Sequence, residues 1–82
     1  MKLKLYYFES CPFCQKVLHF ISETKHNIIL KNIREEQAFK DELIKATEKS
    51  QVPCLIIDGT PMLESDDIIK YLDKNKDKWV IK

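Results

Sequence analysis

No stretch of this 82-residue sequence approaches the run of about eighteen apolar residues that a membrane-spanning helix needs. Nor is there an excess of one charge, since fourteen Lys and Arg face thirteen Asp and Glu and leave a formal charge of +1. A nucleic-acid partner usually demands a concentrated basic surface, so this balance argues against one. The first eight residues lack the separate apolar segment and small-residue cleavage site of a secretory leader. There is no internal repeat, no low-complexity segment and no length for a second domain. These absences leave one small domain over residues 1 to 82, expected to be monomeric, cytoplasmic and free of membrane. The composition, 44% hydrophobic and 33% charged, is that of an ordinary globular protein, whose small core must use every apolar run.

Cysteine is scarce and unevenly placed. Three cysteines, an odd number, do not make a framework of structural disulfides. In a cytoplasmic protein a Cys-x-x-Cys pair more often serves catalysis or metal binding. Cys11-Pro12-Phe13-Cys14 follows an aromatic-rich strand over residues 3 to 8 and a break at Glu9-Ser10. Pro12 suits the first turn of a helix. Phe13, Val17, Ile21 and Thr24 recur at helical spacing, which predicts a helix over residues 12 to 25. The dithiol then lies at a helix start, where unpaired backbone N–H groups stabilise a thiolate. Cys11 is expected at the exposed helix entrance as the attacking sulfur. Cys14, one turn in and more enclosed, is positioned to resolve the mixed disulfide. Pro12 fixes the turn and Phe13 supplies an apolar rim, while Lys16 would favour a thiolate and Glu9 would oppose it.

Structural zinc wants four ligands, usually as two such pairs, and the second pair is absent. Cys11, Cys14 and Cys54 with His19 or His26 would make four. His19 falls in the middle of the predicted helix and His26 in its terminal turn, so no metal is expected.

After the turn at residues 25 to 27, Ile28 to Leu30 reads as a second short strand. Residues 35 to 49 hold no Pro or Gly and place Phe39, Leu43 and Ala46 on one stripe of an amphipathic helix. Cys54-Leu55-Ile56-Ile57 is an apolar run ending at Asp58-Gly59, a strong hairpin signal, with residues 60 to 63 returning. Ser65 is a good N-cap, Asp66 and Asp67 favour the positive end of a helix, and Ile68, Ile69 and Leu72 give that helix an apolar face. Trp79, near the end, is expected to pack back on the domain. The order β-α-β-α-β-β-α predicts an α/β fold, a four-stranded mixed sheet with helices to cover both faces. Val52-Pro53 precedes the buried strand. A cis bond there would open the Val52 backbone to an extended thiol substrate, and the spacing leaves the isomer open.

Taken together, Cys11-Pro12-Phe13-Cys14, Val52-Pro53, Asp58-Gly59 and Ser65-Asp66-Asp67 resemble the glutaredoxin family of the thioredoxin superfamily over nearly all of residues 3 to 73. The resemblance implies a thioredoxin-like, glutaredoxin-type fold. It also implies a glutathione-dependent dithiol–disulfide oxidoreductase that reduces disulfide-bonded or glutathionylated proteins, with glutathione as co-substrate and no tightly bound cofactor. By that likeness Val52, before a cis Pro53, pairs with the glutathione backbone. Ser65 and Asp66 meet the γ-glutamyl group, and Gln51 and Phe13 make secondary contacts.

Three departures bear on those implications. Phe8 stands where many members have a lysine, and Cys54 follows the proline where a plain aliphatic is common. Leu63-Glu64 replaces the usual Gly-Gly, and Glu64-Ser65 followed by Ile68 resembles the N-terminal domain of glutathione transferases instead. Phe8 leaves open a thioredoxin-like protein reduced by a flavoprotein reductase. A metal or iron–sulfur carrier is the outsider, because family iron–sulfur binding usually goes with a motif lacking Pro12. A transferase-like binding module would require a further helical domain for its second substrate.

Overall fold

In β1 (Leu3–Tyr7), alternation sends Leu3 and Leu5 to one face of the sheet and Tyr6 to the other. The computed structural model describes residues 2–81 and shows the same alternation in β3 (Cys54–Ile57), where Leu55 and Ile57 join the first face and Cys54 and Ile56 the second. The first face is covered by Val17 and Ile21 of α1 (Pro12–Ser22) and by Ile68 and Leu72 of α3 (Ser65–Lys74). On the second face lie Leu43 and Phe39 of α2 (Gln37–Thr47), with Phe8, Ile33 and Val52.

The sheet runs in the order β2-β1-β3-β4. β2 (Ile29–Asn32) pairs parallel to β1, with Leu5 opposite Leu30, and β3 pairs antiparallel to β1, with Tyr6 opposite Cys54. β4 (Thr60–Met62) returns antiparallel to β3. The expected β-α-β-α-β-β-α order and mixed sheet are therefore present, and the fold is thioredoxin-like. At the hairpin, Asp58 and Gly59 have φ of 47° and 93°, the two left-handed positions that a two-residue turn of this hand requires. Lys2 N–H donates to Asp58 Oδ1 at 2.8 Å and Asp58 N–H to Lys2 O at 3.1 Å, which ties the turn to the chain ahead of β1.

A short helix α4 (Lys76–Trp79) follows. Trp79 is 1% exposed, its indole N–H donates to Leu72 O at 2.7 Å and its ring lies 6.0 Å from that of Phe20. Backbone bonds from Asn27 N to Trp79 O and from Ile81 N to Lys25 O bind the tail to the exit of α1.

Several boundaries differ from the sequence reading. α1 ends at Ser22, three residues early, and its core stripe is Cys14, Val17 and Ile21. Phe13 projects outward and is 60% exposed. β2 begins and ends later than predicted, because parallel pairing carries it to Asn32 opposite Tyr7. Ala46 is exposed, Leu43 alone being buried in α2. Glu64, with extended φ and ψ, is the N-cap of α3, and Ser65 is the first helical residue, buried rather than capping. Among the described residues no helix is long and apolar enough to cross a membrane.

Candidate active site

The loop after β1 turns tightly, with Cys11 N–H donating to Phe8 O at 3.3 Å, and α1 begins directly at Pro12. Cys11 is the N-cap residue, and no side chain caps this helix start. Its first-turn N–H groups therefore face the dithiol without a side-chain acceptor. Cys11 is only 8% exposed, against the expectation of an open helix entrance, because the Phe8–Cys11 turn folds it back while Phe13 takes the projecting place. Cys14 is fully buried one turn later. All three cysteines are free thiols.

Burial pushes the Cys14 thiol up to about 12, overcoming the downward pull of a hydrogen bond with the Phe8 backbone, and the neighbouring Cys11 adds a smaller upward push. Cys14 thus keeps its proton at neutral pH, and the pair is asymmetric in place, with Cys11 at the N-cap and Cys14 enclosed in the first turn. Burial pushes Cys54 up to about 11, as befits a thiol packed inside the sheet behind Leu43 and Tyr6.

Val52-Pro53 is cis. A shallow cavity of about 200 Å³ gathers Phe13, Gln51, Val52, Pro53, Ser65 and Asp66, all six residues that the glutaredoxin likeness assigns to glutathione. Lys16, Leu63 and Glu64 complete its wall. Across it, Lys16 Nζ lies 3.0 Å from Asp66 Oδ1 and joins α1 to α3. Both side chains are more than half exposed, so the pair is worth about 0–1 kcal/mol and a ligand can displace it. The charge partner that the structure gives Lys16 is Asp66. Glu9 is exposed, and its backbone carbonyl accepts a hydrogen bond from the Gln15 amide.

The structure adds a residue that the sequence reading missed. Asn32, buried, accepts from Arg34 N–H through Oδ1 at 2.9 Å, an Asx turn that presents Arg34 toward the dithiol loop. The Arg34 guanidinium stacks 4.0 Å from the Phe8 ring centroid, and Nη1 donates to Ser10 Oγ at 3.1 Å, one residue before Cys11. A cation thus stands beside position 8, carried by another element and held on an aromatic face. The clue in the sequence was Phe8 itself, though nothing local to it names a partner 26 residues away. Arg34 lines a second cleft of about 660 Å³ together with Phe8, Gln37 and Lys40.

A third cavity of about 450 Å³, floored by Phe20 and Trp79, opens at the far end of α1. Phe20 lies roughly 12 Å along the helix from Pro12 at 1.5 Å per residue, so this cavity is remote from the sulfur chemistry. Among the described residues no three His, Cys, Asp or Glu side chains gather into a metal-ligand group. His19 faces Glu23 at 3.6 Å on the surface, and His26 Nδ1 accepts from Ile28 N–H at 3.1 Å, so neither approaches the cysteines as a fourth ligand.

Known proteins share this fold. Prostaglandin E synthase 2 of Danio rerio is 32% identical over 84 residues, 98% of this chain but 22% of the relative. A glutathione S-transferase from the Antarctic clam Laternula elliptica superposes with a TM-score of 0.74 at 27% identity, covering 95% of this chain and 36% of the transferase. The dithiolic glutaredoxin 2-C-Grx1 of Trypanosoma brucei brucei has a TM-score of 0.67 at 19% identity, over 92% of this chain and 79% of its own, a likeness of fold. The chain thus spans about a fifth of the synthase and a third of the transferase, and most of the glutaredoxin. It is a thioredoxin-fold domain with a cysteine pair at its first helix, related in structure to both groups. Because residues 5–78 match the glutathione S-transferase N-terminal domain, the chain belongs to that family.

Proposed function

We propose that this domain is a glutaredoxin-type dithiol–disulfide oxidoreductase that draws its electrons from glutathione. The observation that carries the reading is the asymmetric pair: Cys11 at an uncapped helix start, and a buried Cys14 whose proton is held up to about 12. Cys11, as thiolate, attacks a substrate disulfide, forms a mixed disulfide and expels the first substrate thiolate. Cys14 then gives its proton to the thiolate just expelled and attacks Cys11 Sγ. The second substrate thiolate leaves, and Cys11–Cys14 is oxidised as the substrate gains two electrons. One glutathione thiolate reopens that bond by joining Cys11 and freeing Cys14. A second attacks the Cys11-bound glutathione, so that glutathione disulfide leaves and the dithiol is restored. With a glutathionylated protein, Cys11 takes the glutathione directly and Cys14 is not needed.

The cavity of Phe13, Gln51, Val52, Pro53, Ser65 and Asp66 supports glutathione as the co-substrate. Val52 would offer its backbone to the tripeptide, and Asp66 with the N–H groups at the start of α3 would take the zwitterionic γ-glutamyl end. A reducing cytoplasmic pool is the setting that supplies such a thiol. The test is turnover of a glutathionylated peptide with glutathione plus its reductase, set against thioredoxin reductase as the sole electron source. Cys11→Ser should abolish turnover and Cys14→Ser should keep deglutathionylation. Equal loss in both variants would sink this division of roles, and turnover supported only by thioredoxin reductase would replace the electron source.

A second reading follows from the family. Glu64-Ser65 at the cavity and the match over residues 5–78 favour a domain that holds glutathione for a larger transferase-like protein. Glutathione binding without disulfide turnover in the wild-type chain would select it.

A further inference from the structure

The cleft beside Phe8 differs in kind from the cavity beside Phe13. Arg34 and Lys40 line it with Gln37, Ser50, Phe8 and Ile33, and no acidic side chain does. Neither cation is in an ion pair among the described residues. Arg34 is fixed instead by uncharged partners, the Phe8 face and Ser10 Oγ, which orient the guanidinium and leave its charge uncompensated. The cavity beside Phe13, in contrast, carries Glu64 and Asp66 against Lys16. The charge therefore changes sign from one end of the Phe8–Phe13 segment to the other, with Cys11 between. A volume of about 660 Å³ is more than a lone carboxylate fills, and lies within the ~300–1,000 Å³ of ligand-sized sites. The apolar Phe8 and Ile33 suit the body of a peptide, and the two cations suit its acids.

We propose that the cleft formed by Phe8, Arg34, Gln37 and Lys40 docks an acidic peptide segment flanking the substrate's reactive cysteine, and so selects which protein disulfides Cys11 attacks. The proposal rests on Cys11 being the attacking sulfur, as in the preceding reading, but not on glutathione.

The test uses the Cys14→Ser protein and peptides whose single cysteine is activated as a 2-pyridyl disulfide. Cys11 thiolate attacks the peptide sulfur, a Cys11–peptide disulfide forms, and 2-thiopyridone leaves and is read by absorbance. Cys54, fully buried, does not compete. A peptide with Glu on both sides of the cysteine should react about 5-fold faster than its Gln counterpart at low salt, the scale of two partly solvated charge contacts. In Arg34→Gln/Lys40→Gln that ratio should fall to near one, and Lys40→Glu alone should lower it in the same direction. Equal rates for the two peptides, or a ratio that survives in these variants, would overturn the proposal. The assay contains no glutathione, so the readings part cleanly. A peptide preference without glutathione-supported turnover would remove only the glutathione-dependent function. Glutathione turnover without the preference would remove only the acidic docking cleft, and no pyridone release from either peptide would remove both.

Discussion

Asp66 sits in the first turn of α3, where unpaired N–H groups favour negative charge, and it shares that charge with Lys16 at 3.0 Å. Asp67 is its neighbour in the same turn and is also exposed, yet it does not line the Phe13 cavity. The two residues therefore separate a general dipole effect from a specific contact. If Asp66 binds the γ-glutamyl amine, Asp66→Asn should raise KM for glutathione roughly 5- to 10-fold, the loss of one partly exposed charge-assisted bond. The turnover number at saturation should stay close to wild type, because the reacting sulfurs are untouched. Asp67→Asn should leave both constants nearly unchanged. Steady-state kinetics on a glutathionylated peptide decide the matter, and similar effects from the two variants would reduce Asp66 to a helix-dipole residue.

At the scale of elements, the closing piece is α4, which is too short to be stable alone and is held through Trp79. The indole fills the space between α1 and α3 and gives its N–H to Leu72 O. Trp79→Ala should cost about 3–5 kcal/mol, the usual range for emptying a large aromatic site. Trp79→Phe should cost markedly less, because most of the packing is kept and Leu72 O still accepts from Asn75 N–H. Urea unfolding followed by circular dichroism measures both, since Trp79 is the one tryptophan and the variants lose its fluorescence. A loss below about 1 kcal/mol for the alanine variant would mean that the tail lies outside the cooperative core. Trp79 packing back was legible in the sequence, as were the element order and the hairpin, because each rests on local period or turn chemistry. The spacing of Phe13 fits the helix stripe, yet Phe13 faces solvent, since the true stripe starts at Cys14 and the periodicity alone fits either phase. By residue type Ser65 is the better cap, whereas the extended backbone of Glu64 puts the cap one residue earlier. Arg34 was not legible at all. Its link to Phe8 exists only because β2 lies beside β1 and an Asx turn at Asn32 aims the next segment back.

The whole molecule divides at the sheet, and each face buries ionisable groups in their neutral form. Cys14 is on the buried face of α1 on one side, while Cys54 and Tyr6 pack with Leu43 of α2 on the other. Burial, with the hydrogen bond to Glu42 acting in the same direction, holds the Tyr6 hydroxyl well above its ordinary range. These groups share one consequence for stability. Cys54 ionises near 9.0 when free and at about 11 in the folded protein. Between those values the folded chain keeps a proton that the unfolded chain has released, so unfolding is increasingly favoured as pH rises. The stability from the neutral thiol is complete below about pH 9 and is lost across the window up to about 11, at roughly 1.4 kcal/mol per pH unit per thiol. Cys54→Ala removes that titration. Its stability at pH 7 should be lower, through lost packing, but its decline between pH 9 and 11 should be gentler than wild type by about that slope. The rest of the chain is common to both proteins, so its contribution, Cys14 included, cancels in the difference. Urea unfolding at intervals across this range gives the two slopes. Parallel slopes would mean that Cys54 ionises as easily inside the sheet as in water, which a fully buried thiol packed against Leu43 and Tyr6 should not do.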